Sequence, residues 1–336
     1  MRPEKNILFT FDYELFLGPK SGSIAKCVIE PTEKLLDIFK IHKTHAIFFV
    51  DTTWLIRLKE VAKLHPTAKK DFLTVAYQLQ NIITSGHYVF PHIHPHWLDA
   101  NYLSDTNQWQ LNTYSKYRFH NINTEQRDEL FTESINLLKE LIEPVKQNYI
   151  IDGYRAGGWS IQPFEDFAPY FERYGIKYDF SVLPGKKNIS NVQQFDFSDI
   201  TAKAPYSFST DVAVQGTGAF VEFPISTIKV SSLTRLFNKI VLKYLWRTND
   251  RYSGDGHSIA SETSESDPQR EMLAIELLTI AKLRLYNNFL ARNNFIQFIA
   301  HPKMLSRHNI STFERFMKKA FALYTIETDF KKMLPK

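Results

Sequence analysis

The feature that most constrains the fold is an alternation of short apolar runs with amphipathic segments. Residues 7–11 and 46–50 are nearly continuous apolar runs, typical of buried strands. Residues 31–41 and 72–83 instead carry apolar side chains at helical spacing. Repeated β–α units with strands of this kind predict a parallel sheet or barrel covered by helices. In such folds the chemistry gathers at the C-terminal ends of the strands.

Further segments continue the alternation toward the C-terminus. The predicted helices cover residues 125–141, 164–174, 271–292 and 313–324, and further strands are predicted at 149–151 and 295–300. Residues 195–230 differ, and predict hairpin-like strands inserted into the pattern. Residues 249–269 are polar, rich in Ser, Asp and Gly, and predict a mobile surface loop. The sequence has no internal repeat, and we interpret residues 1–336 as a single domain.

The composition limits the class of protein and its partners. The chain has 41 basic and 36 acidic residues, a net charge of +5 and a pI near 9.0. This mild excess favours an anionic substrate or a membrane surface, and the dispersed lysines and arginines are not typical of nucleic-acid binding. Cys27 is the single cysteine, which excludes an internal disulfide. No apolar run approaches the roughly 20 residues of a membrane span.

The N-terminus passes directly into the first predicted strand. Residues 1–5 contain neither an apolar signal-peptide segment nor a small-residue cleavage site. We therefore expect a cytoplasmic protein, although a chain from which a signal peptide had been removed would look the same. The oligomeric state is left open by the sequence.

Two acidic residues follow the first predicted strand. Asp12 and Glu14 come directly after the apolar run 7–11. If the chain stays extended, both side chains point to the same side, because strand side chains alternate. A buried carboxylate requires a hydrogen bond, an ion pair or a metal. One acid could bind a metal while the other acts as a base; the alternative is a strand that simply ends in an acidic turn.

Four of the chain's 11 histidines lie within residues 87–96, on both sides of a predicted strand at 89–90. They are His87, His92, His94 and His96. Neutral imidazole is the commonest protein ligand for divalent transition metals, and residues four apart on a helical turn, such as His92 and His96, lie within about 6 Å of each other. Two histidines rarely complete a metal site, so we expect a carboxylate from elsewhere in the chain.

The order of these motifs resembles the polysaccharide deacetylase family, also called the NodB-homology or carbohydrate esterase family 4 group. Five short motifs of that family have counterparts here in the same order, from about residue 6 to residue 303. The resemblance implies a single catalytic domain with a distorted (β/α) barrel, of the TIM-like NodB or glycoside hydrolase–deacetylase type. It also implies a hydrolase of carbon–nitrogen bonds that removes acyl groups from N-acylated sugars with a divalent metal.

The first motif, usually Thr-Phe-Asp-Asp-Gly, is matched by Thr10-Phe11-Asp12-Tyr13-Glu14. By resemblance, Asp12 is the catalytic base. The second Asp of the motif, a metal ligand, is replaced by Tyr13, and Glu14 is the natural substitute. This departure leaves open whether Glu14 or Asp12 supplies the carboxylate ligand.

The second motif is a glycine followed by spaced histidines, and residues 86–96 match it without gaps. By resemblance, His92 and His96 take the ligand positions, and His87 matches a non-ligand histidine. His94 lies between the ligands and could contact substrate or act as an alternative ligand.

Three further motifs complete the resemblance. Arg155 keeps the arginine of the third motif, without its proline, and would pair with Asp12 to hold it ionised. Asp179 matches the acid of the fourth motif, and His301, at the end of the predicted strand 295–300, matches the histidine of the fifth. The resemblance makes His301 the general acid, with Asp179 fixing its tautomer and raising its pKa.

The implied reaction removes an N-acyl group, most simply acetyl, from an amino sugar or its glycan, nucleotide-linked or lipid-linked form. Zn²⁺ is the expected metal, with Co²⁺ and Ni²⁺ as alternatives. Tyr13, Trp97 and Trp159 are candidates for stacking on a sugar ring, or else they pack in the barrel rim. Two other classes stay open: a deformylase or metal-independent ureide hydrolase on the same barrel, and a carbohydrate-binding relative without activity.

Overall fold

The structure is a computed structural model that describes residues 2–248, 250, 253–258 and 270–335. Its strands are β1 Glu4–Tyr13, β2 Ile47–Asp51, β3 Tyr88–Ile93, β4 Asn101–Leu103, β5 Gln108–Gln110, β6 Gly153–Ala156, β7 Tyr178–Asp179, β8 Lys187–Ile189, β9 Gln194–Asp196, β10 Tyr206–Phe208, β11 Phe220–Glu222, β12 Thr227–Lys229, β13 Arg270–Met272, β14 Phe295–Ala300 and β15 Thr325–Glu327. Its helices are α1 Glu30–His42, α2 Thr52–Val61, α3 Pro66–Thr84, α4 Thr124–Ile142, α5 Ala168–Tyr174, α6 Ser232–Arg247, α7 Leu283–Arg292 and α8 Arg307–Leu323. No helix in these ranges is long and apolar enough to cross a membrane.

The central sheet has the strand order β10-β11-β7-β6-β3-β2-β1-β14, and β15 pairs with the start of β1. All described pairs in this sheet are parallel except β10 with β11. The apolar runs that predicted strands lie in β1 and β2, and they are buried on both faces. This burial explains why the runs are continuous rather than alternating.

The sheet curls until its two ends meet. Beyond β11, the backbone N–H of Ser226 donates to the carbonyl of Gln297 in β14 at 3.2 Å, and the N–H of Gln297 donates to Ser226 Oγ at 3.0 Å. Next to this seam, the N–H of Ile299 donates to the carbonyl of Leu273 at 3.2 Å. The predicted fold class, a distorted (β/α) barrel, is therefore confirmed.

Aromatic rings fill the barrel interior beneath the site. Phe330, in the C-terminal turn Phe330–Lys332, lies 5.6–5.9 Å from the ring centroids of Phe90, Phe180 and Phe223. Phe49 lies 5.2 Å from Phe180 in the same layer. This apolar layer fills the interior, and the polar side chains lie further along the same strands, at the C-terminal end of the barrel.

Residues 271–292 do not form the single helix that the sequence predicts. The first residues of the segment form β13, which pairs with β12, and a 3₁₀ turn covers Ile275–Leu277 before α7 begins. Pairing between strands overrides the local helix propensity here. This difference matters for the site, because the 3₁₀ turn carries an acidic residue that faces it.

The sequence predicts an insertion at residues 195–230 and a loop at residues 249–269, and the structure describes the first segment and part of the second. In the first, β10 and β11 extend the central sheet, while β12 belongs to the separate pair with β13. Of the second, residues 253–258 run along the turn after β14, where the N–H of Gly254 donates to the carbonyl of Lys303 at 3.0 Å. Residues 249, 251–252 and 259–269 lie outside the described residues.

Candidate active site

The polar residues singled out in the sequence meet at the C-terminal ends of the parallel strands. Asp12 is near the end of β1, His92 near the end of β3 and Arg155 in β6, and His301 directly follows β14. His92 and Arg155 are register partners on neighbouring strands. The chain is extended through Asp12, and the Glu14 side chain lies on the same side of the chain as that of Asp12, since both are near His92.

Asp12 is a buried carboxylate held in its ionised form. Its Oδ1 accepts a hydrogen bond from Arg155 Nη1 at 2.5 Å, and its Oδ2 lies 3.5 Å from His301 Nε2. Burial opposes ionisation, but Arg155, His92 and His301 outweigh it and lower the pKa of Asp12 below its ordinary value. Such a carboxylate is available to accept a proton at neutral pH.

Arg155 is fixed on every side. Its Nε donates to the carbonyl of Phe180 at 2.9 Å and its Nη2 donates to Thr10 Oγ1 at 2.8 Å. The guanidinium also lies over the ring of Phe49, 4.2 Å from the centroid. A planar donor fork held this way orients the Asp12 carboxylate as well as balancing its charge.

Glu14, His92 and His94 form a buried cluster in which one donor atom of each residue lies within 4.8 Å of the others. Glu14 Oε2 is 3.1 Å from His94 Nε2 and 3.7 Å from His92 Nε2. The two imidazole nitrogens are 3.0 Å apart. One carboxylate and two imidazoles are a ligand set for a divalent transition metal.

The tautomer of His92 is set by its backbone neighbour. His92 Nδ1 donates to the carbonyl of Arg155 at 2.8 Å. Burial lowers the pKa of His92 to about 4, so the ring is neutral at pH 7. Its Nε2 therefore presents a lone pair to Glu14 and His94, and a backbone carbonyl on the far nitrogen is the usual support of a metal-ligating histidine.

The structure brings His94 into this cluster and leaves His96 outside it. β3 ends at Ile93, and a side chain two residues beyond His92 on an extended chain stays on the same side. His96 lies instead in a 3₁₀ turn, so the predicted helical turn joining His92 and His96 is wrong. The His96 ring stacks on Tyr117 at 5.4 Å, and neither of its nitrogens has a partner among the described residues.

Lys303 is a site residue that the sequence analysis missed. Its buried Nζ donates to Glu14 Oε1 at 2.9 Å and to the carbonyl of Leu15 at 2.5 Å. Burial opposes ionisation of Glu14, but Lys303 and His94 bring the pKa of Glu14 well below its ordinary value. The available signal was a lysine two residues after the last strand-end histidine.

His301 is oriented by Glu276, not by Asp179. His301 Nδ1 donates to Glu276 Oε1 at 2.8 Å, with Glu276 in the 3₁₀ turn after β13. Burial opposes protonation of His301, but the hydrogen bond and charge of Glu276, together with Asp12, raise the pKa of His301 above its ordinary value. A protonated imidazole, partly open to solvent, suits a general acid.

The predicted role of Asp179 is wrong because its side chain lies on the outer side of the sheet. The flanking Tyr178 and Phe180 face the barrel interior, 5.3 and 5.6 Å from Phe330. Strand alternation sends Asp179 the opposite way, beside Glu222, its register partner on β11. Burial raises the pKa of both carboxyls, so the pair retains a proton.

Two of the three aromatic candidates lie in the core. The Tyr13 hydroxyl donates to Gln78 Oε1 at 2.9 Å, and Trp97 Nε1 donates to Asp51; both rings are fully buried. Neither can stack on a sugar ring, which corrects that expectation. Burial raises the pKa of Asp51, a further strand-end acid that the sequence analysis missed, to about 7. Trp159 is half-buried and lines a cavity.

The fold and site together define a distorted (β/α) barrel with an arginine-held aspartate, a carboxylate–imidazole cluster and a glutamate-held histidine at one end. No family model and no curated protein matches the chain. Several solved structures are similar to it, among them a protein assigned as a polysaccharide deacetylase from Mycobacterium smegmatis, with 15% identity over 97% of this chain and 87% of that one and a TM-score of 0.49.

Two others are Puue allantoinase (11% identity, TM-score 0.48) and a protein assigned as a polysaccharide deacetylase from Pseudomonas aeruginosa PAO1 (13%, 0.48). Each similarity covers 97% of this chain and 88% of the other. At such low sequence identity these similarities concern the fold alone.

Proposed function

We propose that this protein is a metal-dependent hydrolase that removes an N-acyl group, most simply acetyl, from an amino sugar. The placement of Asp12 and His301 supports this most directly. A carboxylate with a lowered pKa and an imidazole with a raised pKa lie 3.5 Å apart, beside the cluster of Glu14, His92 and His94. Amide hydrolysis needs such a pair, because water must lose a proton and the leaving nitrogen must gain one.

The cluster fits a divalent metal on its own chemistry. His92 presents a lone pair, and Glu14 is ionised, with its Oε2 3.1 Å from His94 Nε2 and 3.7 Å from His92 Nε2. Zn²⁺ is the expected ion, with Co²⁺ and Ni²⁺ as alternatives. When bound, the ion would lower the pKa of a water molecule and polarise the acyl carbonyl.

The chain's own residues then move the protons. Asp12 accepts a proton from the attacking water, and Arg155 keeps the carboxylate in place for it. His301 gives its Nε2 proton to the leaving nitrogen, while Glu276 holds the opposite ring nitrogen. The carbon–nitrogen bond breaks as the new carbon–oxygen bond is completed, and a short carboxylic acid and a free amino sugar leave.

Metal content tests the first part of this proposal. We expect near one divalent ion per purified wild-type chain by elemental analysis, loss of the ion in Glu14→Ala and His94→Ala, and retention in His96→Ala. The matched pair of histidine variants decides between His94, which lies in the cluster, and His96, which the motif implies as the ligand. A wild-type chain without metal, even after reconstitution, would reject the metal-dependent hydrolase.

Activity tests the second part. A panel of N-acetyl and N-formyl amino sugars and cyclic ureides, assayed by release of free amine or acid, would separate a deacetylase from a deformylase and a ureide hydrolase. Sugar binding without turnover in the metal-loaded protein would favour a carbohydrate-binding relative instead.

A metal-independent carbon–nitrogen hydrolase is a second candidate, and Lys303 favours it. Its ammonium group already provides a buried positive charge 2.9 Å from Glu14. In that enzyme, turnover persists with a chelator and is lost in Lys303→Met. In the metal-dependent enzyme, the chelator itself abolishes turnover.

A further inference from the structure

Helix α6 exposes an apolar face that the proposed chemistry does not use. Five large apolar side chains recur there at helical spacing, each between 58% and 75% exposed. They are Leu233, Leu236, Phe237, Ile240 and Tyr244, called here the apolar stripe. On a helical projection they span about 100° of the surface. Single exposed apolar residues are common, but a continuous stripe of this kind marks a docking surface.

A row of basic side chains runs along one edge of the apolar stripe. This basic row consists of Arg235, Lys239, Lys243 and Arg247, each four residues after the last. α6 contains no acidic residue. The opposite edge holds the helix to the barrel, because Leu245 is buried and Asn238 Oδ1 accepts a hydrogen bond from Thr279 Oγ1 at 2.6 Å. The helix therefore lies flat on the protein, with the stripe outward and the basic row beside it.

The base of α6 borders a cavity of about 460 Å³. The basic side chains that line it are Lys186, Lys187, Arg235, Lys239 and Arg270. Among the described residues, Glu271 is the one acid in its lining, and it is paired with Lys282 at 2.5 Å. Lys187 is paired with Asp196, also at 2.5 Å. Two guanidinium nitrogens of Arg235 are shielded from solvent and have no hydrogen-bond partner within the described ranges. Such a lining fits an anion, and a phosphate in particular.

None of the described catalytic side chains lines the cavity, but two of its lining residues are close in sequence to residues that contact them. Its lining residue Leu277 follows Glu276, which holds the general acid. Its lining residue Trp159 lies two residues after Gly157, which is so close to His94 that an added Cβ would lie 2.9 Å from its Nδ1. An anion in the cavity and an acylated sugar at the catalytic end can therefore belong to one molecule.

We propose that α6 docks on an anionic bilayer and that the substrate is an acylated amino sugar carried by a lipid phosphate in that bilayer. The apolar stripe enters the boundary between headgroups and acyl chains, and Lys243 and Arg247 of the basic row face the anionic headgroups. The cavity takes the phosphate that joins lipid and sugar. This inference rests on the proposed function, because it names the carrier of the sugar that is deacylated.

Charge favours a bilayer over a second copy of the chain as the partner of α6. In a symmetric dimer through this helix, the same surface meets itself. The basic row of each copy would then lie near that of the other, with no acidic residue on α6 to balance it. An anionic membrane complements both the apolar stripe and the basic row.

Vesicle binding of the full chain tests the docking surface. The probe is sedimentation with vesicles of equal parts phosphatidylglycerol and phosphatidylcholine, against vesicles of phosphatidylcholine alone. We expect partition onto the anionic vesicles to be at least about tenfold stronger, and to fall by about tenfold or more in Leu236→Ser/Phe237→Ser/Ile240→Ser and in Lys243→Glu/Arg247→Glu. A matched control, Leu73→Ser/Tyr77→Ser on the exposed face of α3, should stay within about twofold of wild type.

Three results would overturn the inference. The first is a wild-type chain that does not bind anionic vesicles. The second is a stripe variant that binds vesicles normally but converts a dimer to a monomer in sedimentation velocity, which assigns the stripe to a second copy. The third is equal turnover of an N-acetyl amino sugar with and without a lipid phosphate. If vesicle binding holds but no acyl amino sugar is hydrolysed in any form, it is the proposed function that fails.

Discussion

Asp12 and Asp179 occupy equivalent places in the chain and opposite places in the molecule. Both lie at the C-terminal end of a parallel strand and both are fully buried. Asp12 faces the barrel interior and pairs with Arg155, and its pKa is lowered. Asp179 faces the outer side beside Glu222, and burial raises its pKa.

The difference shows that burial alone does not decide what a carboxyl group can do. A cation at hydrogen-bond distance keeps one acid ionised, and the lack of one within the described surroundings of Asp179 and Glu222 lets those two share a proton. Environments that push titratable groups apart in pKa are how one fold provides both bases and neutral acids.

Removing the ionised acid should affect catalysis far more than removing the outer one. We expect Asp12→Asn to lower kcat by about 10²- to 10⁴-fold on the best acyl amino sugar of the panel, since general-base catalysis contributes that much. Asp179→Asn should stay within about tenfold, because its side chain does not contact the site. Steady-state kinetics at equal metal content measure both. Equal losses would make the role of Asp12 structural.

Removing the cation should expose the same contrast as a loss of stability. Arg155→Met leaves Asp12 buried without its partner, and we expect the free energy of unfolding to fall by about 3–5 kcal/mol in urea denaturation. The exposed pair of Lys59 with Glu140 is the control, and Lys59→Met should change stability by no more than about 1 kcal/mol. Asp12→Asn/Arg155→Met should recover part of the loss; a double variant as unstable as the single one would contradict the charge argument.

The carboxylate that holds His301 should set the alkaline limit of activity. The Glu276 side chain raises the pKa of His301, so Glu276→Gln lets His301 lose its proton at lower pH. We expect the alkaline limb of the kcat profile to move to lower pH, with a smaller loss of kcat on the acid side of that limb. Asp179→Asn should leave the limb in place. A limb that moves in Asp179→Asn but not in Glu276→Gln would restore the role implied by the motif.

The smallest effect should come from the buried pair of Asp179 and Glu222 on the outer side of the sheet, and it should be an effect on stability. Burial and Asp179 raise the pKa of Glu222 well above the ordinary 4.5, so the folded state keeps a proton that the unfolded state releases. The contribution of Glu222 to wild-type stability therefore declines as pH rises above about 4.5. Glu222→Gln removes that decline and keeps an acceptor for the N–H of Val182.

Urea denaturation across pH checks this expectation. The variant should match wild type within about 1 kcal/mol near pH 4, and gain on it steadily as the pH is raised. Parallel pH profiles for the two proteins would show that the pair does not hold the proton.

The alternation of side chains between the two faces of a strand explains which site residues could be predicted. Asp12 and Glu14 were expected on one side of an extended chain, and both contact the His92 side of the barrel. The same rule places His94 beside His92, but where β3 ends was not apparent from the residues. For Asp179, strands that are apolar on both faces give no sign of which side is inward.

Other site residues either had no signal in the local sequence or had one that was not used to predict them. Glu276 reaches His301 only because residues 271–292 break into a strand, a 3₁₀ turn and a helix. Asp51 ends β2 and Lys303 lies in the turn just after β14, where acids and bases could have been noted. The stripe and basic row of α6 are visible as a helical pattern in 232–247, a segment for which no helix was predicted.

The sequence by itself determined that buried strands and helices alternate in a parallel sheet or barrel, and that Asp12, Glu14, His92 and His301 lie at or near strand ends, because these depend on periodicity and chain order. The barrel itself was implied by the resemblance. Only the tertiary structure decided that His94 joins the cluster, that Glu276 replaces Asp179, and that Lys303 lies against Glu14. Those contacts join residues far apart in the chain, and they depend on where strands end and which way each side chain faces.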